Sequence, residues 1–332
     1  MFPIGFGPKR KTHKHLSVLE STEPVTRLSE YVRIDENEVE RFCSNLSSLD
    51  VRFWMDTIPF SYKSLSIKEE LMFIFVFNSI NFCYWGDPKW TIEHQGKSLD
   101  GAWGMIASLR RALEDGVPLL DSRFLSEIDE STLEQVFRGN KTIPLFAERL
   151  RILREVGNIL GEKYNGDVTR IVERAEMDIL RLLGVITTDF PSFYDGGTYK
   201  GQEVIFHKRA QLAIADFYRT FKGKGFGKFS NISQLTAFAD YKIPQVLRKL
   251  GLLEYSQYLA SKVDSKIEIP TGSPEELEIR ASTIWAIELI RRELEGEAPG
   301  ITAMDIDSYL WVQGQQKGSE DKPYHLTRTT AY

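Results

Sequence analysis

Ser66-Ile67-Lys68-Glu69-Glu70-Leu71-Met72-Phe73-Ile74-Phe75-Val76-Phe77-Asn78-Ser79-Ile80-Asn81-Phe82-Cys83-Tyr84 is the stretch whose pattern sets the fold class. Ser66 is a good N-cap, and Glu69 three residues on completes a capping box, so a helix starts here. From Leu71 the helix is apolar nearly all round, which places it inside the molecule rather than on its surface. The apolar run Leu71 to Ile80 is too short to cross a bilayer. A buried helix needs a shell of other elements. The reading carries this one to Tyr84, where Gly86-Asp87-Pro88 breaks the chain.

Working outward, Lys89–His94 and Lys97–Leu99 flank Gln95-Gly96 and read as a small β-hairpin. Ala102 to Glu114 is a helix closed by Asp115-Gly116-Val117-Pro118. Helices follow at about 131–138, 144–162 and 167–183. Phe190 to Gly201 reads as a loop and Lys200–Phe206 as a short strand. Lys208 to Phe221 is an Ala-rich helix that runs into the glycine-spaced segment Lys222 to Lys228. Pro244 to Leu250 has Pro in its first turn and Gly251 past its end, the usual asymmetry. Glu275–Leu294 and Met304–Trp311 are further helices. On the N-terminal side, 17–50 reads as helical and polar, with a break at Asn45-Leu46-Ser47-Ser48. No internal repeat is present. The expectation is one mainly α domain over 17–332 with a small β-hairpin, preceded by a tail of residues 1–16.

The 332 residues suffice for a substantial core, and 42% hydrophobic and 27% charged residues are globular values. The net charge of -5 does not suit a protein that grips long nucleic acid. Cys43 and Cys83 make no disulfide framework, which fits a reducing compartment, and no CxxC or HExxH marks a metal site. The N-terminus lacks a signal-peptide run. Its basic residues Lys9, Arg10, Lys11 and Lys14 suit a solvated tail, a nuclear signal or a phosphate contact. A cytoplasmic protein, with the nucleus as a second location and no membrane segment, is expected; oligomeric state is left open.

Four groups of residues suit chemistry. Asp240 sits among apolar and aromatic neighbours in Leu235-Thr236-Ala237-Phe238-Ala239-Asp240-Tyr241-Lys242-Ile243-Pro244, just before a helix. It is either a carboxylate aimed at a ligand or a cap that ties the loop down. Asp216, in Ala213-Ile214-Ala215-Asp216-Phe217, is either an inward-facing acid or a partner for Arg219 one turn on. Lys208 and Arg209 at the start of that helix suit a phosphate or a solvated basic end. Asn81, Phe82 and Trp85 offer an amide beside two rings, which suits a planar heterocycle or a packed core corner.

Several strings together resemble one family. They are Ile80-Asn81-Phe82-Cys83-Tyr84-Trp85, Phe190-Pro191-Ser192-Phe193-Tyr194, Phe206-His207-Lys208-Arg209-Ala210-Gln211, Thr236-Ala237-Phe238-Ala239-Asp240-Tyr241-Lys242-Ile243-Pro244-Gln245 and Pro323-Tyr324-His325-Leu326-Thr327-Arg328. In order and spacing, from about residue 66 onward, the chain resembles the queuosine salvage proteins, the queuosine 5′-phosphate N-glycosylase/hydrolases. The resemblance implies a helical fold like the helix-hairpin-helix DNA glycosylases, with a mononucleotide as substrate. It implies release of the base queuine with neither metal nor cofactor. The catalytic acid then falls on Asp240. The base falls to Asp216, Asn81, Phe82, Trp85, Phe238 and Tyr241, and the 5′-phosphate to Lys208, Arg209, His325 and Arg328. Between Trp54 and Pro59, where the family pattern leads one to expect a pocket histidine, this chain has none. Two rival readings stand beside this one: a DNA or RNA base glycosylase of the same fold, and a non-catalytic helical nucleotide-binding module in which Asp240 only caps.

Overall fold

The computed structural model describes residues 17–46, 51–316, 318 and 321–332. The expected tail and part of the 45–48 break lie outside them. In chain order the elements are α1 (Val18–Arg27), β1 (Val32–Ile34), α2 (Glu36–Ser44), α3 (Ile67–Ser79), β2 (Thr91–His94), β3 (Lys97–Asp100) and α4 (Gly101–Glu114). Next come α5 (Ser122–Glu127), α6 (Glu130–Val136), α7 (Phe146–Tyr164), α8 (Thr169–Arg174), α9 (Ile179–Asp189), β4 (Gly196–Tyr199) and β5 (Gln202–Ile205). The remainder are α10 (Lys208–Thr220), α11 (Lys242–Lys249), β6 (Leu253–Tyr255), α12 (Gln257–Asp264), α13 (Pro274–Leu294) and α14 (Ala303–Gln313). The fold is mainly helical, as expected. The described strands pair into three antiparallel two-stranded sheets rather than one: β1 with β6, β2 with β3 and β4 with β5.

Two buried helices organise the molecule. In α3 the Ser66–Glu69 capping box forms, and every residue from Leu71 to Ser79 is buried. The helix packs on α10, α7 and α4 in a first apolar cluster. The second cluster surrounds α13, which opens with Pro274 and the Ser273 cap and packs on α1, α2, α11 and α14. Helix α14 joins the two, with Met304 in the first cluster and Ile306 and Leu310 in the second.

The departures from expectation have local causes. Helix α3 stops at Ser79, not Tyr84, because two guanidinium groups take the carbonyls beyond it. Arg209 binds the Ser79 carbonyl and, at 3.4 Å, that of Asn78; Arg149 binds that of Phe82 and, at 3.4 Å, that of Cys83. Residues 81–85 then run as irregular chain, with Cys83 at φ 42° and its N–H donated to the Tyr332 carbonyl at 2.8 Å. The single helix expected over 167–183 breaks into α8 and α9. Glu176 and Met177 take positive φ, and Asp178 caps the new start through the N–H groups of Leu180 and Arg181. The loop expected at Phe190–Gly201 contains β4. Lys200 and Gly201, both with positive φ, make the tight turn that joins it to β5. Helices α5 and α12 and the β1–β6 pair were not anticipated. The last is a long-range pairing that puts the 17–50 segment, expected to be helical only, into a sheet.

The tightest helix contact is at Gly157 in α7. A Cβ there would lie 2.3 Å from the Ser126 nitrogen and 2.5 Å from the Ser122 oxygen of α5. Those are backbone atoms and cannot swing aside. Gly157→Ala should therefore lower stability by about 2–4 kcal/mol despite its better helix propensity. Urea unfolding checks this, and a variant as stable as wild type would show that α5 and α7 can separate.

Candidate active site

Helix α10 lines one cavity with a single stripe. Lys208, Leu212, Ala215, Asp216 and Arg219 recur at helical spacing on one face and span about 16 Å along the axis. Facing them are Asn81, Phe82 and Tyr84 from the chain after α3, Phe238 to Lys242 before and into α11, and Met304, Asp307, Ser308 and Trp311 of α14. The start of α4 (Gly101, Ala102, Trp103), Phe53 and Trp54, and Tyr324 and Tyr332 close the walls. Aromatic faces beside a few carboxylates and the buried Lys208 ammonium suit a flat, polar-edged ligand.

Arg280 of α13 fixes three of these walls together. Its guanidinium makes paired contacts of 2.8 and 2.6 Å with Asp195 and donates to the Ala239 carbonyl at 3.1 Å, one residue before Asp240. Asp195 also accepts the N–H of Lys208 at 3.0 Å, holding the first turn of α10. The same guanidinium lies 3.9 Å over Phe206 and 4.5 Å over Tyr332. Burial alone would raise the Asp195 carboxyl, but the adjacent Arg280 holds it below the ordinary carboxylate range. Phe82 is fixed differently, with its ring 4.2 Å from the Arg149 guanidinium and 5.2 Å from that of Arg209. Burial brings both arginines down to about 10.

The electrostatics of the cavity are uneven. Asp240 Oδ1 accepts the N–H groups of Lys242 (2.7 Å) and Ile243 (3.0 Å), so this residue is a cap and a cavity residue at once. Lys208 is 6% exposed; burial lowers its value while Asp240 and Asp307 pull it back up. Asp307 accepts the Phe238 N–H at 2.8 Å, and burial and then the Asp240 charge push its carboxyl well above normal. Asp216 accepts Trp54 Nε1–H and an Asn78 Nδ2–H, both at 2.9 Å, and burial pushes it up to about 7.

Of the residues singled out in the sequence, Asp240, Asp216, Asn81, Phe82, Phe238, Tyr241 and Lys208 line this cavity. The other four are engaged elsewhere. Trp85 donates Nε1–H to the Thr327 carbonyl at 3.1 Å and lies under Arg328, 4.5 Å from its ring. Arg209 is spent on backbone carbonyls. His325 Nε2 meets the Tyr332 hydroxyl at 3.1 Å, and burial holds its ring down to about 3. Arg328 is exposed and pairs with Glu268 at 3.0 Å. The structure thus places Arg209, His325, Arg328 and Trp85, expected at the phosphate and the base, outside the lining of this cavity. Asp216 does not pair with Arg219, which reaches Asp305 instead. Sequence reasoning missed Asp307, Trp54, Trp103, Trp311 and Tyr84. For Asp307 the signal was there, an acid inside the apolar run Met304 to Trp311, the same pattern that drew attention to Asp216.

A helical protein with a ring-lined cavity, several carboxylates and one buried lysine belongs to the class that acts on a small heterocyclic ligand. A family model described as queuosine salvage protein matches residues 60–332, and the chain belongs to that family. Relatives named queuosine 5′-phosphate N-glycosylase/hydrolase include one from Sphaerobacter thermophilus, 41% identical over 319 residues, which cover 96% of this chain and 98% of that protein. One from Dictyostelium discoideum is 33% identical over 328 residues (95% and 98%), and one from Mus musculus 32% over 335 residues (96% and 99%).

Two buried carboxylates should respond oppositely to an amide. Asp195→Asn takes from Arg280 its paired carboxylate and leaves it only the longer contact with Glu276 at 3.4 Å, and should cost about 3–5 kcal/mol at pH 7. Because the folded Asp195 value is depressed, its stabilisation is present above the unfolded value and fades as pH falls below the ordinary carboxylate range, so the gap to wild type should close there. Asp307 is already biased to the neutral form, and Asp307→Asn keeps an acceptor for Phe238, so its stability should stay within about 1 kcal/mol of wild type. Denaturant titrations between pH 3 and 8 decide; equal losses in both variants would contradict this assignment of charge.

Proposed function

We propose that this chain hydrolyses the N-glycosidic bond of queuosine 5′-phosphate and releases queuine for salvage into tRNA modification. The observation that carries the reading is the placement of Asp240 and Lys208 in one ring-lined cavity, in a chain of this family. In the reaction the bond from the sugar C1′ to the base nitrogen breaks. A water oxygen joins C1′, and a proton goes to the departing base. Positive charge builds on the ribose as the bond stretches, and the Asp240 carboxylate is the group that stabilises it. Its cap contacts with Lys242 and Ile243 hold Oδ1 in place. Asp307, kept protonated by burial and by Asp240, spares the phosphate-bearing ligand a second anionic wall. Phe82, Phe238 and Tyr241 supply faces for the base, and Lys208 supplies the cation for the 5′-phosphate. The ligand is a mononucleotide and not a strand, which agrees with a net charge of -5.

Asp240→Asn keeps an oxygen for the α11 cap and should fold, yet lose on the order of a hundredfold or more in turnover of queuosine 5′-phosphate. Mass detection of released queuine is the assay, and wild-type turnover by a folded variant would end the assignment. Lys208→Ala should lower the ratio of activity on the 5′-phosphate to activity on the nucleoside. An equal drop on both substrates would assign Lys208 to the sugar or to the fold.

A further inference from the structure

Asp216 is a buried anion site on which the charge of Lys208 is the weakest of the influences that lower its value. It is 1% exposed and lines the cavity, and the groups donating to its two oxygens, Trp54 Nε1–H and Asn78 Nδ2–H, are both neutral. Among the described residues it forms no ion pair. Lys208 lies two turns back along α10, about 12 Å along the axis. Arg219, one turn on, is taken by Asp305 of α14. The other charged groups around it are Asp307 on α14 and Asp56 beside Trp54, both acids. Helix α3 contributes only the Asn78 amide on this side. Leaving a carboxylate in such a place costs several kcal/mol unless it is neutralised or paired.

The surroundings hold that carboxylate rigidly. Trp54 packs on Phe77 (5.6 Å between ring centres) and against Trp311 (5.7 Å), and Trp311 in turn meets Trp103 at 5.7 Å. Asn78 is tied to the Ile74 carbonyl at 3.1 Å. Each carboxylate oxygen has a second lone pair beyond the donor it already holds. A fixed carboxylate beside three indole faces is a receptor for an organic cation, since the rings and the anion attract it together. The queuine base carries one such group, a secondary amine on its 7-aminomethyl arm, protonated at neutral pH.

We propose that Asp216, held by Trp54 and Asn78, is the counter-charge for the side-chain ammonium of the ligand and makes the site select amine-bearing 7-deazaguanine nucleotides over those without the amine. This rests on the reading of the cavity as a queuosine 5′-phosphate site. It assigns Asp216 to the arm of the base, not to its hydrogen-bonding edge. In the empty cavity the Asp216 carboxyl sits at about 7, so near pH 7 roughly half of the molecules carry its proton. A cation beside it favours the ionised form, and binding then expels that proton.

The test is calorimetric titration of the full chain with queuine and with 7-deazaguanine, at pH 7, in buffers of low and high ionisation heat. Wild type should bind queuine roughly 10- to 100-fold more tightly than 7-deazaguanine. It should release a few tenths of a proton per site with queuine and none with 7-deazaguanine. Asp216→Asn should bring the ratio of the two dissociation constants near one and abolish the release. Equal affinities in wild type, no proton release, or a preference that survives in Asp216→Asn each overturn the proposal. Should that variant not fold, the wild-type affinity ratio and proton count decide alone. Wild-type hydrolysis of queuosine 5′-phosphate is measured on the same sample. Hydrolysis without amine preference removes only the counter-charge role; preference with proton release but no hydrolysis removes only the proposed activity.

Discussion

The ion pair between Arg280 and Asp195 is the constraint on which the cavity depends. An isolated buried charge is prohibitively costly, so each partner demands the other in a fixed geometry. Arg280 uses its remaining donor capacity on the Ala239 carbonyl, and Asp195 uses its own acceptor capacity on the Lys208 N–H. One pair therefore sets the distance between the start of α10 and the loop that carries Asp240. Those segments are thirty residues apart in the chain and meet only because α13, in a third place, supplies the guanidinium.

The same device recurs without carboxylates at the end of α3. Arg149 and Arg209 satisfy carbonyls that the helix end would leave unpaired, and they grip Phe82 between them. Removing a helix carbonyl's need for an N–H partner is what lets the chain leave helical geometry at Ile80 and present Asn81, Phe82 and Tyr84 to the cavity. Burial lowers the values of both arginines only to about 10, so they stay cationic at neutral pH. Their charge is spent on backbone dipoles and ring faces, and so it does not reach the ligand as free phosphate-binding capacity.

This explains what the sequence made legible and what it hid. The buried helix at Ser66, the hairpin at Gln95-Gly96, and the caps and breakers around α4, α11 and α13 are local signals, and each appears within a few residues of its expected place. The split between α8 and α9 was also local, carried by Asp178, but the surrounding helical pattern outweighed it. The β1–β6 pair was not local. Its strands are three residues long and far apart, and neither has a pattern that asks for the other. The division of the basic residues is equally non-local. Lys208 and Arg209 are adjacent and both buried, yet successive helix positions point about 100° apart. One faces the cavity and the other the end of α3. Only the neighbours on each side decide which cation remains available.

The cavity gathers Asp216, Asp240 and Asp307 near the buried Lys208, which is a poor arrangement for a phosphate-bearing ligand if all three acids are ionised. The structure resolves the conflict by giving each carboxylate a different environment. Asp240 keeps two backbone donors and partial exposure. Asp307 has one backbone donor, and burial and then the Asp240 charge raise its value well above the ordinary carboxylate range. Asp216 has two neutral donors, the Lys208 charge acts on it least, and burial pushes it up to about 7. Three identical side chains thereby stand in three different environments around one ligand. That graded set comes from Trp54, Asn78, Phe238 and the α11 N-terminus, not from the acids themselves. The Trp54 indole is central to it, because it donates a hydrogen bond to Asp216 without itself titrating.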